Sequence, residues 1–337
     1  MKKYEYTVFG TATTVKVMKF DEFPKPGQTT PILNTNFDRL YYGGKAWNIV
    51  YDLMMLGLPV FPVLAYSDAR FEPEFQRAAE RFQMPTDGIF RSPQGNYEFL
   101  TCYVLEDKHK DHITLGGYHS NAPSLDLAEL KRDHVPVKQD FLSDSRMALL
   151  TCPKAGDLDT MFSAIVDSGL PMVFSMSHDL SVFNKENLEP ILKHAKVIFA
   201  NAEEVSYMEN LYGYCAITDL FRFGQTEMII KTMGAQGSVV YVKEAGSVRE
   251  YHVPITSPAT QEIRAIGAGD AYVAGFLYGM SQGCDPVTCA QYGSTVSSFI
   301  IEDDGSTTNA PTLQQMLARN AARPDAGNNA EKNGDVI

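Results

Sequence analysis

The sequence predicts an α/β fold in which one mainly parallel, doubly wound β-sheet lies between two layers of helices. Two observations lead to this fold class. Short apolar segments alternate with segments of helical periodicity along most of the 337 residues, and glycine or proline often separates them. Such alternation is typical of a parallel sheet, because the helices that connect its successive strands cover both of its faces.

A strand–helix–strand unit is predicted near the N-terminus. Residues 4–9 form an apolar strand that ends at Gly10, and residues 13–20 form an extended segment. After the glycines of "YYGG", apolar residues recur at helical spacing over 46–56, and residues 60–65 form a buried strand. The unit therefore has a glycine pair at the start of its helix.

The alternation continues through the second half of the chain. Helices are predicted near 157–168 and 185–194, between and beside the predicted strands "MALLTC", "PMVFSM", "KVIFAN", "EMIIKTM" and "SVVYV". A hairpin over 97–105 and 112–115, around the polar turn "EDKHKD", does not belong to the alternation. We interpret this hairpin as part of a small lid.

We expect residues 1–322 to form one domain, with a β-sheet lid from about 11–40 and 95–120. Residues 323–337 are polar and lack apolar periodicity, which predicts a disordered tail.

The composition excludes several classes of partner. The net charge is -12, so no basic surface indicates binding to nucleic acid or to an anionic membrane. No apolar run approaches the ~18 residues of a membrane span, and the N-terminus lacks the apolar core of a signal peptide. The five scattered cysteines include no CxxC pair, which indicates buried or half-buried thiols in a reducing compartment. We therefore expect a cytoplasmic protein.

Chemistry is indicated by a glycine turn that precedes an apolar helix. Gly267, Ala268 and Gly269 lead into Asp270 and then into the segment "AYVAGFLYGM". The unpaired N–H groups and the dipole of a helix start suit a phosphate or a developing oxyanion. A carboxylate beside a phosphate suits the acceptance of a proton from an attacking hydroxyl group. The alternative is that Asp270 only caps the helix.

Four further segments occur in order along the chain: "YYGGKAWNIVYDLMMLG", "NAEE", "KTMGAQGSVVY" and "GAGDAYVAGF". Together they resemble the ribokinase-like (PfkB) family of carbohydrate and nucleoside kinases, and the resemblance runs from about residue 6 to 316. Two further segments, "EFLTCYVLEDKHKDHITLGGYHSN" and "SSFIIEDDGSTTNAPT", look most like the branch of prokaryotic nucleoside and adenosine kinases. The resemblance implies a doubly wound core with a β-sheet lid, and ATP-dependent phosphorylation of a hydroxyl group on a nucleoside or sugar.

The resemblance also implies roles for residues on the acceptor side. Asp270 would be the general base, and the N–H groups of Gly267, Ala268 and Gly269 would form an anion hole. Substrate would bind at Gly43, Gly44 and Asn48, with Thr13 as a further contact. For the glycine pair and Asn48 the alternative is a turn followed by one polar helix residue, and Trp47 could stack on substrate or pack in the core.

On the nucleotide side, the resemblance implies that Asn201, Thr232, Gly234 and Gly237 bind ATP. Glu204 would hold Mg²⁺ through water, since this ion keeps much of its hydration and needs few carboxylates. The alternatives are a helix N-cap for Asn201 and an ordinary strand-to-strand turn for the other three residues.

The sequence departs from the pattern of the family in three places. Val15 stands where relatives have an aspartate that holds sugar hydroxyls, and Thr13 or Thr14 could substitute as a weaker acceptor. Arg264 stands where many relatives have an aspartate that helps bind a monovalent cation, so we expect no K⁺ requirement. Ser175 and Met176 replace a frequent Asp-Pro pair. These changes leave open a catalytically silent ligand-binding or regulatory relative, and the lid makes a homodimer an expectation.

Overall fold

The computed structural model describes residues 2–91, 97–120, 135–153, 156–177, 179, 182–244 and 246–324. Among these residues the main sheet is nine-stranded, in the spatial order β13-β12-β11-β10-β9-β8-β1-β4-β5. Its strands are β1 (Tyr4–Thr11), β4 (Val60–Tyr66), β5 (Ile89–Arg91), β8 (Ser145–Leu150), β9 (Met172–Ser175), β10 (Ala195–Asn201), β11 (Met228–Thr232), β12 (Ser238–Glu244) and β13 (Ser247–Val253). All neighbours are parallel except in β11-β12-β13, which is antiparallel. The predicted α/β class and mainly parallel sheet are confirmed.

Helices cover both faces of this sheet. They are α1 (Lys45–Met55), α2 (Glu72–Phe82), α3 (Asp140–Ser143), α4 (Leu158–Ser168), α5 (Lys185–His194), α6 (Ala202–Tyr212), α7 (Leu220–Phe223), α8 (Ala268–Ser281), α9 (Pro286–Ile300) and α10 (Leu313–Ala321). Val8 and Phe9, successive residues of β1, belong to two different apolar cores. Side chains of a strand alternate between its faces, so the sheet is buried on both sides.

Trp47 belongs to the core that includes α1 and α8. It is fully buried, and its ring meets those of Phe71 and Phe75 edge-on at centroid distances of 5.3 and 5.1 Å. The core interpretation of this residue is therefore the correct one.

A second, four-stranded sheet is separate from the main sheet, as predicted for the lid. Its order is β3-β2-β6-β7, with β2 (Thr13–Lys19), β3 (Tyr41–Gly43), β6 (Tyr97–Glu106) and β7 (His112–Ser120). We call it the small sheet. The predicted hairpin is β6 and β7, while β3 was not predicted as a strand, and its pairing with β2 places Gly43 opposite Thr13.

Two expectations about single residues need correction. Cys215 is exposed, whereas the other four cysteines are buried or half-buried, because it lies in the turn after α6. Arg323, the first residue of the predicted tail, is buried, and its guanidinium donates to the carbonyl of Pro254. The rest of that prediction, from residue 325 onward, lies outside the described residues. Within the described ranges, no helix has the length and apolarity needed to cross a membrane.

Candidate active site

Asp270 lies in the first turn of α8, where a left-handed glycine starts the helix. Gly267 has φ = 80°, a conformation that favours glycine, and a Cβ there would lie 2.6 Å from the Cβ of Ser306. At Gly269 an added Cβ would meet no atom within 4 Å, so this side of the turn faces open space. The N–H groups of a first helical turn have no partner within the helix, although that of Ala268 reaches the carbonyl of Ala265 at 3.3 Å. The sequence therefore places an open, N–H-rich turn beside the Asp270 carboxylate.

Asn48 contacts Asp270 directly. Its Nδ2 donates to Asp270 Oδ2 at 2.7 Å, and its Oδ1 accepts from Ser306 Oγ at 2.8 Å. Asn48 and Ser306 are about 5% exposed, and the Asp270 side chain is 14% exposed. The two hydrogen bonds fix the amide of Asn48, which in turn orients the carboxylate of Asp270.

The glycine pair brings the N-terminal end of α1 close to the small sheet. Gly44 has φ = 96°, and a Cβ there would lie 2.7 Å from the carbonyl oxygen of Thr11. At Gly43 a Cβ would lie 2.9 Å from Val15 and 3.1 Å from Ser306 Oγ. Only glycine allows this approach, so the sequence-predicted acceptor residues Thr13, Gly43, Gly44 and Asn48 lie together. Of the four, Asn48 contacts Asp270.

Lys45, the first residue of α1, is a site residue that the motifs did not identify. Its Nζ lies 3.5 Å from Asp270 Oδ1, and its side chain is 21% exposed. Burial alone would lower the pKa of Lys45, but the charges of Asp270 and Glu204 outweigh it and raise the pKa above its usual value. Lys45 is therefore a cation held near two carboxylates, and the signal that could have found it is its place directly after the glycine pair.

Asn201 and Glu204 form a reciprocal cap at the start of α6. Asn201 Oδ1 accepts from the N–H of Glu204, and Glu204 Oε2 accepts from the N–H of Asn201, both at 2.8 Å. The capping alternative is therefore correct in geometry. Glu204 is also buried near Lys45, so a role toward a metal is compatible with the cap.

Thr232 lies beside Asn201 at the carboxyl end of the main sheet. The two residues are partners in the parallel register of β10 and β11. Beyond Thr232, a turn with left-handed Gly234 and Gly237 leads into β12, and a Cβ at Gly237 would lie 2.2 Å from the carbonyl oxygen of Val253. Ligands of open α/β sheets bind outside the carboxyl ends of the strands, which is where these residues lie.

One buried carboxylate of this region, that of Glu204, has the ligand chemistry that a hydrated magnesium ion uses. Within the described part of the chain, no group of three or more His, Cys, Asp or Glu residues is placed to hold a metal. A single carboxylate such as Glu204, reached through water and completed by phosphate oxygens, is a common arrangement for Mg²⁺.

Asp52 is a second acid that the sequence analysis missed. It lies on α1 one turn after Asn48 and is fully buried, and neither carboxylate oxygen has a hydrogen-bond partner among the described residues. Burial, together with the charge of Asp270, raises the pKa of Asp52 well above its usual value. A buried acid whose neutral form is favoured by its surroundings therefore lies one turn from Asn48.

The structure shows which residues surround the three departures from the family pattern. Val15 is buried in a small apolar cluster with Val17, Tyr41 and Val104. Arg264 donates from Nε to Asp304 Oδ1 at 2.9 Å, and Ser175 is buried at the end of β9.

Comparisons with known proteins show which family the chain matches and which solved structures share its fold. A family model described as pfkB family carbohydrate kinase matches residues 10–313. A nucleoside kinase of Methanocaldococcus jannaschii is 25% identical over 320 residues, covering 94% of this chain and 97% of the relative. A 5-dehydro-2-deoxygluconokinase of Listeria innocua is 24% identical and covers 82% and 86%. The solved structure of Burkholderia thailandensis nucleoside kinase in complex with ADP-inosine shares the fold, with a TM-score of 0.76, 19% identity and 98% of each chain covered.

Proposed function

The chain belongs to the pfkB family of carbohydrate kinases, and we propose that it transfers the γ-phosphoryl group of ATP to a hydroxyl group of a nucleoside. The observation that carries the proposal is the arrangement around Asp270. Its carboxylate lies at an N–H-rich helix start, oriented by Asn48 and accompanied by Lys45. This arrangement supplies a proton acceptor and an anion site within one turn of backbone.

In the proposed reaction, Asp270 accepts the proton of the acceptor hydroxyl. The hydroxyl oxygen forms a bond to the γ-phosphorus, and the bond from that phosphorus to the bridging oxygen of ADP breaks. Phosphoryl transfer depends chiefly on positioning and on charge stabilisation. Asn48 holds the Asp270 carboxylate in place through its 2.7 Å hydrogen bond, so the base is oriented before the acceptor arrives.

The charge on the transferred group would be stabilised from two sides. The N–H groups of Gly267, Ala268 and Gly269 would face it from the helix start, where the helix dipole also favours an anion. Lys45 would approach from α1, because its Nζ already lies 3.5 Å from Asp270. Backbone N–H groups allow an acidic protein to bind phosphate without a basic surface.

The nucleotide would lie along the carboxyl ends of β10 and β11. Asn201, Thr232, Gly234 and Gly237 would line this side, and Glu204 would hold Mg²⁺ through water. The ion would supply neutralisation of the phosphate charge. The ADP in the Burkholderia relative supports a nucleotide site in this fold.

A nucleoside acceptor is favoured by how much of the chain the named relatives match. The relative named nucleoside kinase matches 94% of this chain, against 82% for the relative named 5-dehydro-2-deoxygluconokinase.

An ADP-release screen over nucleosides, pentoses, hexoses and inositols tests the proposal, with Asp270→Asn as the variant. We expect the best acceptor to be a nucleoside. The Asn variant should fold and bind ATP, with kcat at least about a hundredfold lower, the scale typical of a lost general base. As a matched control, Asp167→Asn removes an exposed acid of α4 and should leave kcat unchanged.

Near-normal turnover by folded Asp270→Asn would rule out the general-base role, since asparagine caps a helix about as well as aspartate. Nucleotide binding without ADP release for any acceptor would instead support the catalytically silent alternative.

A further inference from the structure

One carboxylate outside the reacting groups joins three segments that meet at the candidate site. Asp304 lies in the loop between α9 and α10, and its Oδ1 accepts from Lys19 Nζ at 2.5 Å and from Arg264 Nε at 2.9 Å. Lys19 is the last residue of β2 in the small sheet. Arg264 lies three residues before Gly267, in the segment that leads into the Asp270 turn. Asp304 therefore connects the small sheet with that segment.

These ion pairs differ from ordinary surface pairs. The three side chains are only 19–21% exposed, so solvent and salt screen them less than exposed charges. Burial would raise the pKa of Asp304, but the hydrogen bonds from Lys19 and Arg264 outweigh it and hold the pKa at about 2. The carboxylate is thus ionised and bonded to both cations at neutral pH.

The loop that carries Asp304 also contacts the reacting groups. Two residues later, Ser306 donates to Asn48, and its Cβ occupies the space that a side chain at Gly267 would need. The backbone N–H of Arg264 donates to the carbonyl of Ile301 at 2.7 Å. A displacement of this loop would therefore move Asn48 and the turn before α8 together.

We propose that Asp304 is a positioning residue that couples the position of the small sheet to the geometry of the Asp270 turn. Its bond to Lys19 holds the end of β2 toward the site, and its bond to Arg264 holds the segment that sets the turn. Neither Lys19 nor Asp304 belongs to the residues proposed to touch substrate or ATP, so the effect is exerted through other groups.

Kinetics with the best acceptor from the ADP-release screen give the first test, which rests on the proposed function. Lys19→Met should raise the KM for the acceptor with little change in kcat, and Arg264→Met should lower kcat. Asp304→Asn should do both, lowering kcat/KM by about tenfold or more, as expected for lost charge-assisted hydrogen bonds.

The double variant Lys19→Met/Asp304→Asn should have a kcat/KM no lower than that of Asp304→Asn alone, because the effects of substitutions within one network are not additive. Glu262→Gln is the matched control, since Glu262 contacts the same arginine at 3.6 Å but is 86% exposed.

Hydrogen–deuterium exchange of the unliganded full chain gives a second test that needs no acceptor. Asp304→Asn should raise exchange in both 13–19 and 263–270, whereas Glu262→Gln should raise it in neither. Faster exchange in only one segment, or unchanged exchange in both, would overturn the coupling even if the wild type phosphorylates nothing in the screen. Faster exchange in both segments with wild-type kcat and KM would overturn the positioning role.

Discussion

Lys45 is the residue whose charge most directly affects the proposed base. It lies 3.5 Å from Asp270, and the charges of Asp270 and Glu204 keep it protonated at neutral pH. We predict that Lys45→Met lowers kcat by about tenfold or more, the scale of a lost charge-assisted contact. The acid limb of the pH–rate profile should also move to higher pH, because a carboxylate that loses a nearby cation binds its proton more tightly.

The measurement is kcat and kcat/KM from pH 5 to 9 for wild type, Lys45→Met and Lys45→Arg. Lys45→Arg keeps the charge, so its acid limb should stay at the wild-type pH. An unmoved limb in Lys45→Met would contradict the electrostatic role.

Arg264 carries a prediction about monovalent cations. Arg264 occupies the sequence position that the family resemblance assigns to a cation-binding aspartate, and its Nε donates to Asp304. A K⁺ ion would be repelled there by a like charge. We expect equal rates of ADP release in KCl, NaCl and a Tris salt of equal ionic strength, with Mg²⁺ required in all three. Marked stimulation by KCl would show that a cation still binds near this segment.

At the scale of elements, the contact between α1 and α8 contains a buried acid. Asp52 has no hydrogen-bond partner among the described residues, and burial with the nearby charge of Asp270 raises its pKa. A carboxyl group whose pKa is higher in the folded protein than in the unfolded chain contributes its full stability below the unfolded pKa of about 4. That contribution is lost as pH rises through the folded-state pKa.

We therefore predict that the free energy of unfolding of the wild type falls relative to that of Asp52→Asn as pH rises above about 4. The slope should reach at most about 1.4 kcal/mol per pH unit, the value for one proton. Urea unfolding at pH 5, 6.5 and 8 measures it, with Asp167→Asn on exposed α4 as the control. A difference independent of pH would mean that Asp52 is ionised in the folded protein.

For the whole molecule, the small sheet leaves an apolar edge exposed. Ile113 and Leu115 lie on the same face of the edge strand β7, with exposures of 43% and 50%. Exposed edges of this kind can be covered by a second copy of the chain. We predict a dimer in light scattering after size exclusion, converted to a monomer by Leu115→Asp. The control is Leu317→Asp on α10, a residue that is 40% exposed, and this variant should remain dimeric. A monomeric wild type would refute the prediction.

Local sequence patterns were sufficient to predict the order and type of most helices and strands. Strands β1, β2 and β4, the β6–β7 hairpin and helices α4 and α5 follow from periodicity, because side-chain period depends only on neighbours along the chain. The same holds for the Asp270 turn, since a glycine turn before an apolar helix can be recognised within a few residues.

Contacts between distant segments were decided only by the tertiary structure. Asn48 and Asp270 are 222 residues apart, and Ser306 and Asn48 are 258 apart. The charges that make Lys45 part of the site, the burial of Asp52 and the two bonds of Asp304 likewise arise where the small sheet, α1 and α8 meet. Nothing in the local spacing of these residues encodes such a contact, because the partner is chosen by the packing of the whole chain rather than by its neighbours in sequence.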